Sequence, residues 1–475
     1  MSRWTRSGFA GLRHRPSPIE GLFTFLTAIG VDRHETIVGL CHQQRQSGDE
    51  MGGGRSVNQK IDPTNGPELL SLGRRVSPSV FAVSAPLQMS WSRVILITLA
   101  GVVSHTFGRS TMPLLLPAIA DDLGLSATAS GATGSVNMAA YLCGVITVTY
   151  LASRVAPTVL LKCGLWIVLS GLLCLGTAPN TNQLMVGTAL AGLGGAGIWL
   201  TMPIIATADV PVSRRGAVMG LLTATMAVGS IIVPFATSAL RSVINDDGAW
   251  REMWLLETAS AAVILAILYF VLRGDVSTPL PLGAGIKAVN RLQAWKTAVF
   301  FYMAFAFVAA SWFQFFGLSL ENDHGMSREF TTQLWALMGI GGVVGAVIFG
   351  RLSDRLGRPK TMCLVTAIGA STCLLVLVGN TWAAALAAVL YGTTGMAVPP
   401  LTAAFVRDQV AEQDFTAVFG AMTIFYGPAS VLGPITGGVL ADLTGSYFFT
   451  YSLLAIVFAF AAVAAWQLPN LERST

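Results

Sequence analysis

The chain has 475 residues, 53% of them hydrophobic and only 11% charged, with a net charge of +5 and a mean hydropathy of +0.64. Soluble domains carry about 25% charged residues, so this composition excludes a soluble protein and makes lipid the solvent for most of the chain. The positive balance is then a topology signal and not a sign of nucleic-acid binding. The six cysteines (Cys41, Cys143, Cys163, Cys174, Cys363, Cys373) form no Cys-x-x-Cys or Cys/His cluster. Five of them fall in apolar runs, where cysteine acts as a small apolar residue. No disulfide, metal site or cofactor is expected.

Residues 1–88 differ in kind from the rest. They are rich in Arg, Gly, Ser, Pro and Gln, and their apolar patch, Gly21 to Val31, is too short to span a bilayer. With little apolar surface to offset chain entropy, this segment is expected to be disordered. Met89 opens MSWSRVILITLAG, which reads as a natural start for a membrane protein. Residues 1–88 are therefore expected to be an upstream extension, with a regulatory tail as the rival reading.

From Ser92 onward the apolar runs are long enough to cross a membrane as helices. They fall at 92–116, 128–150, 157–177, 183–206, 214–240, 252–272, 297–319, 330–350, 361–378, 382–405, 415–440 and 446–468. The fold class expected is all-α integral membrane, with twelve transmembrane helices in two pseudo-symmetric six-helix halves. The stretch 273–296 contains Pro279, Pro281, Gly283 and Gly285 and reads as a cytoplasmic linker between a half at 89–272 and a half at 297–475 with its short tail.

An internal repeat supports the division. At an offset of 201, DDLGLS (121–126) corresponds to NDHGMS (322–327), Gly144 to Gly345 and Arg154 to Arg355. At 200, Gly192 and Gly195 correspond to Gly392 and Gly395, and Pro234 to Pro434. Basic residues set the orientation. The linker carries Arg273, Lys287, Arg291 and Lys296, whereas the loops on the other side hold Arg241, Arg251 and Arg328. Both termini are expected in the cytoplasm.

The most distinctive string is Gly350 to Lys360, GRLSDRLGRPK, with Arg351, Arg355, Arg358 and Lys360 around Asp354. Gly350 and Gly357 are expected to permit a tight turn between the eighth and ninth helices. The string resembles the signature loop of the major facilitator superfamily, G-x-L-(A/S)-D-(R/K)-x-G-R-(R/P)-(K/R). The resemblance covers residues 92 to 468. It implies that Gly350, Asp354, Arg355, Gly357 and Arg358 form a gating latch, with Asp354 facing the start of the eleventh helix and Arg355 as a carboxylate partner. In the first half the loop is eroded: Ser153, Ala156 and Pro157 stand where Asp354, Gly357 and Arg358 stand in the second. The antiporter pattern GxxxGPxxGG is likewise kept in the eleventh helix, GPASVLGPITGG, and decayed in the fifth, which weakens a drug-efflux assignment.

The first helix holds His105 and Arg109, spaced i, i+4 and so on one helical face. A charge at mid-membrane costs roughly 2.5–3.5 kcal/mol or more, so Arg109 is expected to face a central cavity. SHTFGRSTMPLLLPAI and SVNMAAYLCG resemble the first two helices of the YbfB/YjiJ-type subgroup of the superfamily, apart from Ser110 and Ala140. Arg109 is read as the group that binds a substrate anion, because guanidinium matches a carboxylate bidentately. Asn137 and Tyr141 would complete a polar patch. The bland alternative is that Arg109 bonds the Asn137 amide and fixes packing. No Asp or Glu lies in the middle of helices one, four or five, which argues against a multidrug-type cation site.

His105 and Glu257 are the candidate proton carriers. Histidine's ordinary pKa of about 6.5 lies within reach of a proton gradient, and Glu257 sits in the outer part of helix six, near Arg251. In the second half the polar and aromatic candidates are Trp312, Gln314, Gln333, Trp335, Tyr391, Thr394 and Tyr426, with Gln314 and Tyr426 deepest in their spans.

These readings point to a monomeric, proton-coupled secondary transporter in the inner membrane, moving a small organic anion or polar metabolite. Efflux of lipophilic compounds is the rival within transport, and a transporter-like sensor the rival outside it. No nucleotide-binding loop, HExxH, GxSxG or intramembrane carboxylate dyad appears, so an enzyme is not expected.

Overall fold

The computed structural model describes residues 91–208, 210–246, 248–272 and 286–470. Among the described residues, twelve long helices follow one another along the chain. The expectations for residues 1–88, for Cys41 and for the Pro- and Gly-containing part of the linker lie outside the described residues. The helices are α1 Val94–Leu123, α2 Ala127–Leu151, α3 Pro157–Gly176, α4 Thr181–Thr207, α6 Trp250–Val271, α7 Trp295–Asn322, α8 Arg328–Leu356, α9 Arg358–Val378, α10 Thr381–Arg407 and α12 Phe448–Trp466. Between them lie α5, Val212–Ile244, and α11, Glu412–Thr444. The apolar spans read from the sequence each correspond to one of these. A short 3-10 turn, Ile286–Arg291, leads into α7.

Helix starts repeat between the halves because the sequence repeats. Ser126 accepts a hydrogen bond from Ala129 N at the start of α2, and Ser327 accepts from Phe330 N at the start of α8. Asn180 and Asn380 cap α4 and α10 in the same way. A side-chain oxygen at this position satisfies one of the free N–H groups of the first turn.

The packing repeats as well. Helix α2 packs on α4 as α8 packs on α10, α3 on α6 as α9 on α12, and α1 on α5 as α7 on α11. The halves meet where α2 crosses α11 and α5 crosses α8, with α1 against α7 between them. The repeated glycines explain the intimacy of the first pair. A Cβ on Gly192 would overlap the Asn137 carbonyl oxygen, and one on Gly392 the Met338 carbonyl oxygen. In a bilayer, where apolar burial supplies no drive for helices to associate, such close backbone approach is what packs them.

Two features depart from the expected regular spans. Helix α1 is π-helical from Val102 to Ser110, and Thr111 N–H donates to Thr106 O, five residues back. Helix α10 is interrupted between Gly395 and Val398, just before Pro399 and Pro400, where proline lacks the N–H that would continue the ladder. The signature string also behaves differently from the turn expected. Gly350 lies within α8, and the connection to α9 shrinks to Gly357 alone, at φ +89°. Pro359 then sits in the first turn of α9, where its missing N–H costs nothing.

Candidate functional site

One end of the bundle, the end carrying the α1–α2 and α7–α8 connections, is tied shut across the halves. Asp442, at the end of α11, accepts from Ala127 N and Thr128 N at the start of α2, both at 2.8 Å. Arg328 pairs with Asp121 across the halves and with Glu321 in its own half. Ser238 donates to Glu329, and Arg241 donates to Thr332 Oγ1 at 2.8 Å. Deeper in the bundle, Gln314 Nε2 on α7 donates to Ser130 O at 2.6 Å and Thr133 Oγ1 at 2.8 Å on α2. Ser135 Oγ donates to Val431 O at 2.6 Å.

Beneath this seal lie two adjoining cavities of about 210 and 220 Å³. His105, Arg109, Asn137, Pro399 and Tyr426 line both. The first cavity reaches up to Gln314 and is walled by Phe305, Phe313, Tyr391, Met138 and Met396. The second extends toward the opposite end, past Ser104, Tyr141, Trp199 and Tyr302.

Arg109 stands where the two cavities meet. Its guanidinium lies 5.9 Å from the centre of the Tyr141 ring and 3.6 Å from Met138 Sδ. Among the described residues no carboxylate lies within ion-pair distance of it. His105 is beside it, its ring 5.9 Å from that of Trp199. Asn137 does not bond Arg109. Its Nδ2 donates to Gly108 O at 3.0 Å and Thr188 O at 3.1 Å, so it ties α1 and α4 to α2 while its edge lines the cavity. Tyr426 packs its ring 4.9 Å from that of Tyr302.

Of the seven second-half candidates, Gln314, Tyr391 and Tyr426 line the first cavity. Trp335 lines a small neighbouring crevice. Trp312 is buried and stacked at 3.6 Å on Tyr391. Thr394 is buried and donates to Leu390 O, and Gln333 is exposed and donates to Glu329. Sequence reasoning missed Tyr302, Phe305, Phe313 and Trp199. An aromatic on an apolar helix looks the same whether it faces lipid, a neighbour or a cavity. Trp199, four residues past Gly195, carried the one usable hint, since small residues mark the crowded face of α4.

Glu257 lies inside the bundle. It is 1% exposed, and its Oε1 accepts from Thr111 Oγ1 at 2.6 Å, linking α6 to α1. Arg251, six residues before it, binds Asp122 and Ala178 O. At the opposite end, Arg358 donates to Asp354 at 2.9 Å and Asp408 at 3.0 Å, and to Ser353. Thus Arg358 holds the carboxylate of the signature string, whereas Arg355 is exposed in the last turn of α8.

A twelve-helix membrane bundle with a cavity between two pseudo-symmetric halves defines the class: a transporter of the major facilitator type, not an enzyme. Residues 102–466 match the family model described as "Uncharacterised MFS-type transporter YbfB", and the chain belongs to that family. It is 24% identical over 402 residues to the hexuronate transporter of Bacillus subtilis, covering 78% of this chain and 92% of that one. It is 28% identical over 224 residues to the rubrofusarin-specific efflux pump aurT of Gibberella zeae, where the match covers 45% of this chain and only 38% of the pump's length. The crystal structure of a bacterial homolog to the human lysosomal transporter Spinster, inward-facing and unoccupied, matches with a TM-score of 0.63 at 17% identity, over 79% of this chain and 96% of that one.

Proposed function

We propose that the protein is a proton-coupled secondary transporter that moves a small organic anion by alternating access, with Arg109 as the anion-binding group. The observation that carries this reading is a guanidinium at the meeting point of two cavities, deep in a membrane bundle, with no carboxylate partner among the described residues. A charge held there at roughly 2.5–3.5 kcal/mol or more is neutralised when an anionic substrate docks. The similar hexuronate transporter, named for an anionic substrate, agrees with this class.

The orientation follows the basic residues: the sealed end faces out, the Gly357 end faces the cytoplasm, and both termini are inside. The halves, 89–272 and 297–475, rock about the central site. With the outer end sealed, the substrate enters from the cytoplasmic end and stops under Gln314. Passage outward requires the Gln314–Ser130/Thr133 and Asp442–α2 contacts to part, with Gly350, Asp354, Arg355, Gly357 and Arg358 closing the other end. Glu257 and His105 are the groups that exchange the coupled proton.

The test is ligand-induced thermal stabilisation of the detergent-purified chain and of Arg109→Ala. A ligand that binds the folded state raises its melting temperature by mass action. Carboxylates are expected to stabilise the parent and to lose the effect in the variant. Stabilisation by lipophilic cations, unchanged in Arg109→Ala, would overturn the reading in favour of drug efflux.

A further inference from the structure

We infer that the substrate is a carboxylate with an apolar, ring-bearing body, and that polyhydroxylated anions such as sugar acids are excluded; this rests on the anion reading above and narrows it. The reason lies in which hydrogen-bond donors around the two cavities are already engaged.

Toward the Gln314 end of the first cavity the polar side chains have already given their hydrogens to the protein. Gln314 Nε2 donates to Ser130 O and Thr133 Oγ1. Thr133 Oγ1 donates to Ser130 O, Ser110 Oγ to His105 O and Ser430 Oγ to Gly427 O. The Asn137 amide is engaged with Gly108 O and Thr188 O. Apart from His105, Arg109 and Tyr426 where the two cavities meet, what remains to meet a ligand there is Phe305, Phe313, the ring face of Tyr391, Met138 and Met396. Tyr391 is fixed as a wall, because its ring stacks on Trp312 at 3.6 Å and meets Phe313 edge-on at 5.6 Å.

The donors left without protein hydrogen-bond partners among the described residues cluster where the two cavities meet and below. They are the His105 imidazole, the Tyr141, Tyr302 and Tyr426 hydroxyls and the Trp199 indole N–H, in the cavity wall around Arg109, which itself makes a long contact to Met138 Sδ. This is a lopsided site, with one cationic, donor-lined end and one largely apolar chamber capped by Gln314. A sugar acid has a hydroxyl on nearly every carbon, and each one that enters the apolar chamber without a partner is penalised. A carboxylate on an aromatic or alicyclic body meets no such penalty. Its head takes Arg109, and its ring takes the chamber, where thioether and aromatic contacts are favourable. The size agrees: an apolar cavity of about 150 Å³ holds benzene, and this chamber measures about 210 Å³.

The experiment compares four probes on the purified full-length chain by thermal shift and by titration: 2-naphthoate, its neutral amide 2-naphthamide, glucuronate, and a lipophilic cation, tetraphenylphosphonium. The expected result is saturable stabilisation by 2-naphthoate, with at least tenfold weaker binding of the amide and no effect of glucuronate. Arg109→Gln abolishes the 2-naphthoate shift. Phe313→Ser, in the chamber wall and not at the head, weakens 2-naphthoate at least fivefold. If Phe313→Ser misfolds, Met396→Gln serves the same purpose from α10. Glucuronate binding that depends on Arg109, with no response to 2-naphthoate, would overturn this inference and leave the anion-carrier reading standing. Binding of tetraphenylphosphonium alone would overturn both. Equal binding of 2-naphthoate and its amide would show an apolar pocket without an anion head, and would also overturn the inference.

Discussion

Arg109, His105 and Glu257 lie within a few turns of one another around α1, yet their surroundings differ. Arg109 and His105 face the cavities. Glu257 is buried behind them, its Oε1 held by Thr111 and its Oε2 without a partner among the described residues. Thr111 comes directly after the π-helical turn that carries His105 and Arg109, so Glu257 bonds the helix segment next to the proposed anion site. Such π-turns recur at functional sites. Glu257→Gln, which keeps an acceptor for Thr111 but cannot release a proton, is expected to bind substrate with unchanged affinity while losing accumulation driven by a pH gradient in proteoliposomes. Gradient-driven accumulation at the parental rate would remove Glu257 from the coupling path. The pair His105/Arg109 was legible in the sequence because charge in an apolar run is costly. The role of Asn137 was not, because whether an amide reaches a neighbour's backbone or a ligand depends on what packs beside it.

At the scale of elements, the repeated glycines show how sequence writes helix contacts. Gly144 and Gly345 lie against the backbones of Leu193 and Thr393, and Gly192 and Gly392 against those of Asn137 and Met338. The α2–α4 and α8–α10 crossings are therefore built alike, at the offset seen in the sequence. Gly192→Ala forces α2 and α4 apart, because the obstacle is backbone and not a movable side chain. The expected loss is about 1–3 kcal/mol, seen as a lower melting temperature in detergent, whereas Gly420→Ala, where an added Cβ meets open space, is expected to be neutral. Equal effects of the two substitutions would show that the close approach is not what stabilises the bundle. The signature string illustrates the reverse case. Its composition suggested a loop, but the helices on both sides and Pro359 at the start of α9 compress it to one glycine. That compression brings Arg358, and not Arg355, to Asp354 and Asp408.

For the whole molecule, the decisive feature is the seal that ties the two halves together at one end. Asp442 caps the first turn of α2 from the other half, and a carboxylate at a helix N-terminus is worth about 0.3–1 kcal/mol when exposed. Asp442→Ala is expected to shift the population by up to about fivefold away from the sealed state. Spin labels near the start of α2 and the end of α11 would report this as a growing long-distance fraction. An unchanged distance distribution would show that the seal rests on the Gln314 and Ser135 contacts deeper in the bundle.

Local, one-dimensional rules account for the features of this protein that could be read from its residues in order. Span number and position come from the length of apolar runs, the two halves from a near-constant repeat, the superfamily from a dense string, and the importance of Arg109 from the cost of its charge in lipid. The rest depends on which residues from distant helices face one another. That includes which aromatics wall the cavity, which donors are already engaged, the burial of Glu257 against Thr111, and which end is closed. A helix shows its lipid, cavity and packing faces with the same apolar alphabet, so these distinctions arise only when the twelve helices stand side by side.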